Sequence, residues 1–566
     1  MSVKTFLLAV ACLCAARMQG RLYAQASVEV CPRPAPGAIV AEPEDLRSHD
    51  GVLKLELTAH NEKLKDGSVR YCYTDKNGQE SPNLRVNPGD LVVLELKNEM
   101  VDFSPDSATT SNPHHQMESD GHTCTSGMMT PVSTNLHFHG LTIPPVCHQD
   151  DVLKTSVQPG DPPFEYRFRI PENEPPGLYW YHPHIHGFTK QQVLGGASGA
   201  LIVEGIERAD SAVAGLGERV LVIRDQDLLN PNAPPSKSEP VMPKMLFDRD
   251  GDAANTGTGF GKPAKDLSIN FVPAPYPDYP PAVIEMKPGE QQLWRVLNAS
   301  GITYLNLEVL VGHTAQRLGL VALDGVPLNE NGYPHNFVDW QTHLGIPPGA
   351  RMEFIVKGPP AGTPALLVTR TVDTGAGGEN DPNRSIATIV ADRDAPEPRS
   401  DLAASPTPLA ASQIPWLGSV TPVRTRRLYF SEKLLEPNNP NSATEFYITV
   451  DGQKPEMFDP KSPPNIVVKQ GTVEDWIIEN RSSELHAFHI HQLHFLLLDY
   501  RGRAVNEPFL RDTVNVPYYD GKALEYPSVR VRMDFRDPNT VGEFVYHCHL
   551  LEHEDGGMMG LIRVEP

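Results

Sequence analysis

Three copies of one pattern, spread over the whole chain, restrict its fold more than any other feature. Pro82-Asn-Leu-Arg-Val-Asn-Pro-Gly89-Asp-Leu-Val-Val-Leu-Glu-Leu-Lys-Asn98 is the first, and Pro281-Ala-Val-Ile-Glu-Met-Lys-Pro-Gly289-Glu-Gln-Gln-Leu-Trp-Arg-Val-Leu-Asn298 the second. Pro464-Asn-Ile-Val-Val-Lys-Gln-Gly471-Thr-Val-Glu-Asp-Trp-Ile-Ile-Glu-Asn480 is the third. Gly and Asn stand nine residues apart in each. A short apolar strand, a Gly turn and an alternating strand read as a hairpin. Copies this far apart predict three related β domains and not a short-period solenoid. Helical periodicity is scarce and the 566 residues include 55 Pro and 44 Gly, so the expectation is an all-β chain of three sandwiches. Domain one is expected over about 50–205, domain two over 218–394 and domain three over 424–566, with an Ala/Pro/Ser-rich linker at 395–423.

The N-terminus reads as an export signal. Lys4 precedes an apolar run from Phe6 to Ala16, and Ala24-Gln25-Ala26 offers a cleavage site, so residues 1–26 are expected to be removed. That run is too short to span a membrane, and no later segment is long and apolar enough. Export to a periplasm or to the medium follows. It suits the cysteines: five remain after the signal, and setting Cys548 aside leaves Cys31, Cys72, Cys124 and Cys147 for two disulfides. Proximity along the chain favours Cys31–Cys72 with Cys124–Cys147, and the other two pairings stay open. A formal charge of −22 disfavours nucleic acid or an anionic membrane as partner. Stable membrane insertion is not expected, and a monomer is.

The chemistry is concentrated in Tyr546-His547-Cys548-His549-Leu550-Leu551-Glu552-His553-Glu554-Asp555-Gly556-Gly557-Met558. Two His, a Cys thiolate and a weak axial Met make a blue-copper site, and this tail holds Cys548, His553 and Met558, lacking one His. A free buried Cys beside surface histidines is the bland alternative. It weakens once Gly542-Glu-Phe-Val-Tyr-His547-Cys-His549 is set beside Gly177-Leu-Tyr-Trp-Tyr-His182-Pro-His184, and His489-Ile-His491 beside His137-Phe-His139. On a strand, H-x-H puts both imidazoles on one face. Four such units, two in each outer domain and none in the middle one, can converge eight imidazoles. That number suits several copper ions and is overbuilt for a four-coordinate zinc.

With these motifs the chain resembles the three-domain multicopper oxidases, which include laccases and bacterial copper oxidases. The resemblance spans the mature chain and implies three cupredoxin-like Greek-key β-sandwiches and four copper ions, one type 1, one type 2 and two type 3. It assigns His486, Cys548, His553 and axial Met558 to the type 1 ion, and His137 and His489 to type 2. His139, His182 and His549 would hold one type 3 ion, and His184, His491 and His547 the other. Electrons would enter singly at type 1, and the cluster would collect four to reduce O2 to water. Glu554 matches a proton-relay acid; its domain-one counterpart is Asp150 or Asp151, with Asp150 favoured by counting back from Pro159-Gly160. His186 is expected outside the ligand set and His494 packed on its strand. The loop with His114, His115, Met117, His122, Cys124, Met128 and Met129 is expected to be a disulfide-tied lid, with an accessory copper patch as the alternative.

Substrate is the least constrained point. Relatives that oxidise Cu(I) carry a Met-rich insertion, since thioether selects Cu(I). This chain has no Met between Met352 and Met457, and Ser482 stands where those enzymes place an Asp. Phenols or aromatic amines are therefore the expected reductants. A copper-tolerance protein acting on Cu(I), or mainly binding copper, is the rival. A copper nitrite reductase needs no such set of paired histidines.

Overall fold

The computed structural model describes residues 30–65, 67–103, 124, 129–234, 252–329, 336–409, 414–436 and 442–566. The expected signal cleavage lies outside them, as does the His/Met loop apart from Cys124 and Met129. Among the described residues three pairs of sheets follow one another along the chain, with almost no helix. In the first, one sheet has the order Asp45–Arg47, Asn83–Val86, Gly199–Val203, Gly177–His182, His137–His139, and the other Val69–Asp75, Val52–Lys63, Leu91–Asn98, Phe164–Arg169. The third pair repeats this. Ile466–Lys469, Met559–Glu565, Gly542–Cys548 and His486–Ile490 lie side by side, with the same parallel, antiparallel, antiparallel sequence as Asn83–Val86, Gly199–Val203, Gly177–His182 and His137–His139. In the middle pair the corresponding run is Ala282–Met286, Arg384–Ala391, Ala365–Thr369 and Leu305–Val311, so Leu305–Val311, which carries no His, fills the place of the histidine strands. The chain is three consecutive cupredoxin-like β-sandwiches.

The repeat that announces the domains is not a hairpin. Asn83–Val86 and Leu91–Asn98 lie in different sheets, as do Ala282–Met286 and Gln291–Asn298, and Ile466–Lys469 and Val473–Asn480. Each Gly turn carries the chain over the edge of the sandwich, because apolar side chains on both strands are buried better against one another across the core than along one sheet. Gly89, Gly289 and Gly471 all have φ between 74° and 89°, which an L side chain rarely adopts. The recurring Asn has its own physical reason. Asn98 donates to the carbonyls of Val132 and Val157 and accepts from the amide of Met100. Asn298 does the same with Thr303, Ile346 and Ser300, and Asn480 with Glu484, Val516 and Ser482. A buried amide saturated in this way pins the corner at the end of the strand.

The disulfides are Cys31–Cys72 and Cys124–Cys147. The segment expected to be a linker lies along the protein: Ser400–Asp401 pairs with Gly217–Glu218, and Leu402 is buried. Between the first two domains Glu218 sits buried between Arg85 and Arg295, with Arg295 also paired to Glu353.

Candidate metal centre

Two registers place the histidines. In domain one His137 lies directly opposite His182, and in domain three His489 opposite His547, so homologous strands present homologous pairs. Side chains alternate along a strand, so His547 and Cys548 face opposite ways. Cys548 points into the core of domain three, among the same residues as Met558, and His547 faces domain one. His486 and His489, three apart, are separated likewise.

The outer domains meet through imidazoles. His137 stacks on His491 at 3.8 Å between ring centroids and His139 on His489 at 3.9 Å. His184 approaches His491 and His547 at 4.9 and 5.3 Å, and His549 approaches His139 and His182 at 5.1 and 5.9 Å. All eight rings are buried. Burial holds His182 at about 3 and His137, His139, His184, His491, His547 and His549 well below the usual imidazole value, with neighbouring rings adding to the shift for most of them. They are therefore neutral, the form that binds a metal.

Seven of the eight carry a buried ring nitrogen with no hydrogen-bond partner, namely His137, His139, His182, His184, His489, His491 and His549. At about 1–3 kcal/mol for each unsatisfied group, the cluster would cost on the order of 10 kcal/mol if nothing engaged it. Their other nitrogens are largely spoken for. Nδ1 of His182 and of His547 each reach the carbonyl of the following residue at 2.9 Å, and Nδ1 of His489 that of Asp512 at 2.9 Å. Nδ1 of His137 lies 3.0 Å from both oxygens of Asp150, and Nε2 of His139 lies 3.3 Å from Asp512. Hydrogen bonds at one nitrogen fix the tautomer and aim the other inward, which is how proteins present imidazole to metal ions. Combinations such as His184, His491 and His547, or His137, His139 and His182, bring their donor atoms within 4.8 Å of one another.

The second centre forms inside domain three. Cys548 Sγ lies 3.4 Å from His486 Nδ1 and 3.8 Å from His553 Nδ1, and these three atoms form another possible metal group. His486 is thus the histidine that the fold brings to the tail. Burial pushes the Cys548 thiol well up in the metal-free protein; a bound cation reverses that, since a coordinating thiol is deprotonated. The outer nitrogens meet acids. His486 Nε2 is 2.7 Å from Ser482 Oγ and 3.3 Å from Glu432, and His553 Nε2 is 3.3 Å from Glu484.

Both candidate relay acids touch the cluster. Burial raises Asp150 to about 8; it accepts from the Phe138 amide and from Gln492. Asp151 instead faces Lys154, so geometry separates the two. Glu554 lies 3.1 Å from His547 Nδ1 and 3.5 Å from His184 Nε2, and burial with the neighbouring Asp555 raises it well above the ordinary range. His186 stands apart against Phe458. His494 does not simply pack on its strand: it donates to the Asp324 carbonyl at 2.9 Å. Sequence patterns gave no notice of Asp512, Arg351, Asp324, Glu432 or Glu484. The one signal on offer was a buried acid at the bend between Leu510–Arg511 and Thr513–Val516, where Asp512 stands.

Comparisons agree with this geometry. A family model described as multicopper oxidase matches residues 433–566, and a second of the same description matches 128–208. "Multicopper oxidase mco" of Staphylococcus haemolyticus is 23% identical over 441 residues, 76% of this chain and 77% of that protein. A structure titled a multicopper oxidase from Campylobacter jejuni, a metallo-oxidase, is 24% identical, with 94% of this chain and 96% of that one covered at a TM-score of 0.63. The laccase-like CueO from an Ochrobactrum species, titled as active towards lignin model compounds, is 20% identical at 0.60, covering 94% and 100%. With two buried sites built from these donors, and with matches to multicopper oxidase models over residues 128–208 and 433–566, the chain is a copper oxidoreductase that uses O2 and is similar to the multicopper oxidases over both outer domains.

Proposed function

We propose that the protein couples one-electron oxidation of phenols or aromatic amines to reduction of O2 to water, with His486, Cys548, His553 and Met558 holding a type 1 copper. On this reading His137 and His489 hold a type 2 copper. His139, His182 and His549 hold one type 3 ion, and His184, His491 and His547 the other. The bound copper ions supply electron acceptance from the reductant and electron delivery to O2. Four phenols yield four phenoxyl radicals, four electrons and four protons, and O2 with those electrons and protons gives two waters. The observation that carries the reading is the adjacency of Cys548 to His547 and His549: one peptide link joins the two donor sets, giving electrons a covalent route.

What the chain itself does is hold and move protons. Asp150 and Glu554, both kept protonated near neutrality by burial, donate towards the cluster and are refilled from solvent. Ser482 rather than a carboxylate at its position, and the lack of Met between Met352 and Met457, support organic reductants over Cu(I). The protein acts after export, with the N-terminal residues removed, as a monomer. Cu(I) oxidation, or copper binding as the main role, is the second reading, favoured by the acids at the type 1 histidines. O2 uptake by the copper-loaded protein, with an easily oxidised phenol and with Cu(I) as alternative reductants, tests both. Faster uptake with the phenol is expected. Four bound coppers and an intense blue band without any uptake would sink the oxidase reading.

A further inference from the structure

The middle domain contributes no histidine to the cluster, yet it reaches it. Arg351, at the start of Arg351–Lys357, is fully buried, and all five of its side-chain N–H groups have an acceptor. Nε donates to the Leu178 carbonyl at 3.0 Å, in domain one. Nη1 donates to the Gly349 carbonyl and, at 2.9 Å, to Asp512 Oδ1; Nη2 donates to the Asp324 carbonyl and, at 2.8 Å, to Asp512 Oδ2. Asp512 in turn meets His139 of domain one through Oδ1 at 3.3 Å and His489 of domain three through its backbone carbonyl at 2.9 Å. Thr513 Oγ1 adds a bond to Oδ1, and Asp324 accepts from the amides of Arg351, Asp512 and Thr513. Space is reserved for the pair: a Cβ at Gly140, next to His139, would come within 2.9 Å of Asp512 and collide with Arg351.

We propose that Arg351 is a positioning residue of the histidine cluster: through Asp512 it fixes which ring nitrogens of His139 and His489 face the centre. The inference rests on the copper assignment above. A carboxylate held only by Thr513 could rotate towards the imidazoles and become a ligand itself, since His139, His489 and Asp512 already bring three donor atoms within 4.8 Å. The bidentate guanidinium engages both oxygens in one plane and prevents that rotation. With Asp512 fixed, Nε2 of His139 and Nδ1 of His489 stay hydrogen-bonded. Their partnerless atoms, Nδ1 and Nε2 respectively, are left for copper. The copper most exposed to losing this frame is the type 2 ion, which has only two protein ligands, one of them His489.

Copper content, the electron paramagnetic resonance signals of the types 1 and 2 ions, and the blue absorption together test this. Arg351→Leu and Asp512→Asn are expected to weaken binding of the type 2 ion about 10–100-fold, so that about three coppers remain after dialysis with the blue band intact. Arg351→Lys, with three donors and no fork, is expected to fall between. Arg295→Leu removes an equally buried arginine of the same domain whose hydrogen bonds go to Glu218 and Glu353, away from the histidines, and should keep all four ions. Should Arg351→Leu fail to fold, the two volume-conserving variants give the same readout. Four retained coppers with an unaltered type 2 signal in Arg351→Lys and Asp512→Asn would overturn the proposal, as would loss of the same ion from Arg295→Leu. A wild-type protein that binds no copper would instead sink the functional reading beneath it.

Discussion

Cys548 Sγ and His486 Nδ1 lie 3.4 Å apart across neighbouring strands, where Phe488 pairs with Cys548 in register and His486 precedes it on the same face. A soft thiolate beside an imidazole in an apolar core selects copper over harder cations. Cys548→Ser is expected to remove one of four coppers, abolish the blue absorption and lower O2 uptake by at least about a thousandfold, since the ion that would accept the first electron is lost. Metal analysis with a visible spectrum checks it.

Glu484 sits 3.3 Å from Nε2 of His553. A carboxylate accepting from the outer nitrogen makes the inner one a stronger donor and favours the oxidised ion. Glu484→Gln is expected to raise the type 1 reduction potential and speed the oxidation of a poorly reducing phenol more than that of a strongly reducing one. Redox titration of the blue band reads the direction; an unchanged or lower potential counts against the contact.

Asp150 and Asp151 are neighbours in sequence with different fates. Asp150→Asn is expected to lower O2 turnover about 100-fold, in the range removed with a general acid, while anaerobic bleaching of the blue band by phenol proceeds at the wild-type rate. Asp151→Asn, whose side chain faces Lys154, should stay within about twofold by both measures. Stopped-flow bleaching beside steady-state O2 uptake separates the steps.

Glu218 carries a testable acid dependence at the interface of domains one and two. Burial works to raise its pKa, but Arg295 and Arg85 outweigh it and hold the carboxyl at about 2 against 4.5 for a free one. The folded pKa is depressed, so the stabilisation is present above pH 4.5 and is lost as pH falls towards 2. At 1.36 kcal/mol per unit it amounts to roughly 3 kcal/mol. Glu218→Gln should lower thermal stability at pH 7 by about that amount and flatten the pH dependence between 4.5 and 2, as followed by calorimetry.

The sequence by itself determined the three-domain β plan, the donors and their distribution between the outer domains. All of these rest on local spacing: a Gly nine residues before an Asn, and H-x-H on a two-residue period. It misread the repeated motif as a hairpin, because the same strand–turn–strand pattern serves a turn within a sheet or an arch between two sheets, and only packing across the core chooses. It favoured Asp150 over Asp151 only by counting back from a turn, because one residue of register along the loop decides which carboxylate meets His137. The tertiary structure alone brought in Arg351, Asp324 and Asp512, residues from two domains. Their charges are held by one another, and no periodicity records a partner that is distant in the chain. Which side chains can serve as donors is written in residue type and spacing. Ligand orientation is set by long-range hydrogen bonds that exist only once three domains have closed on one another.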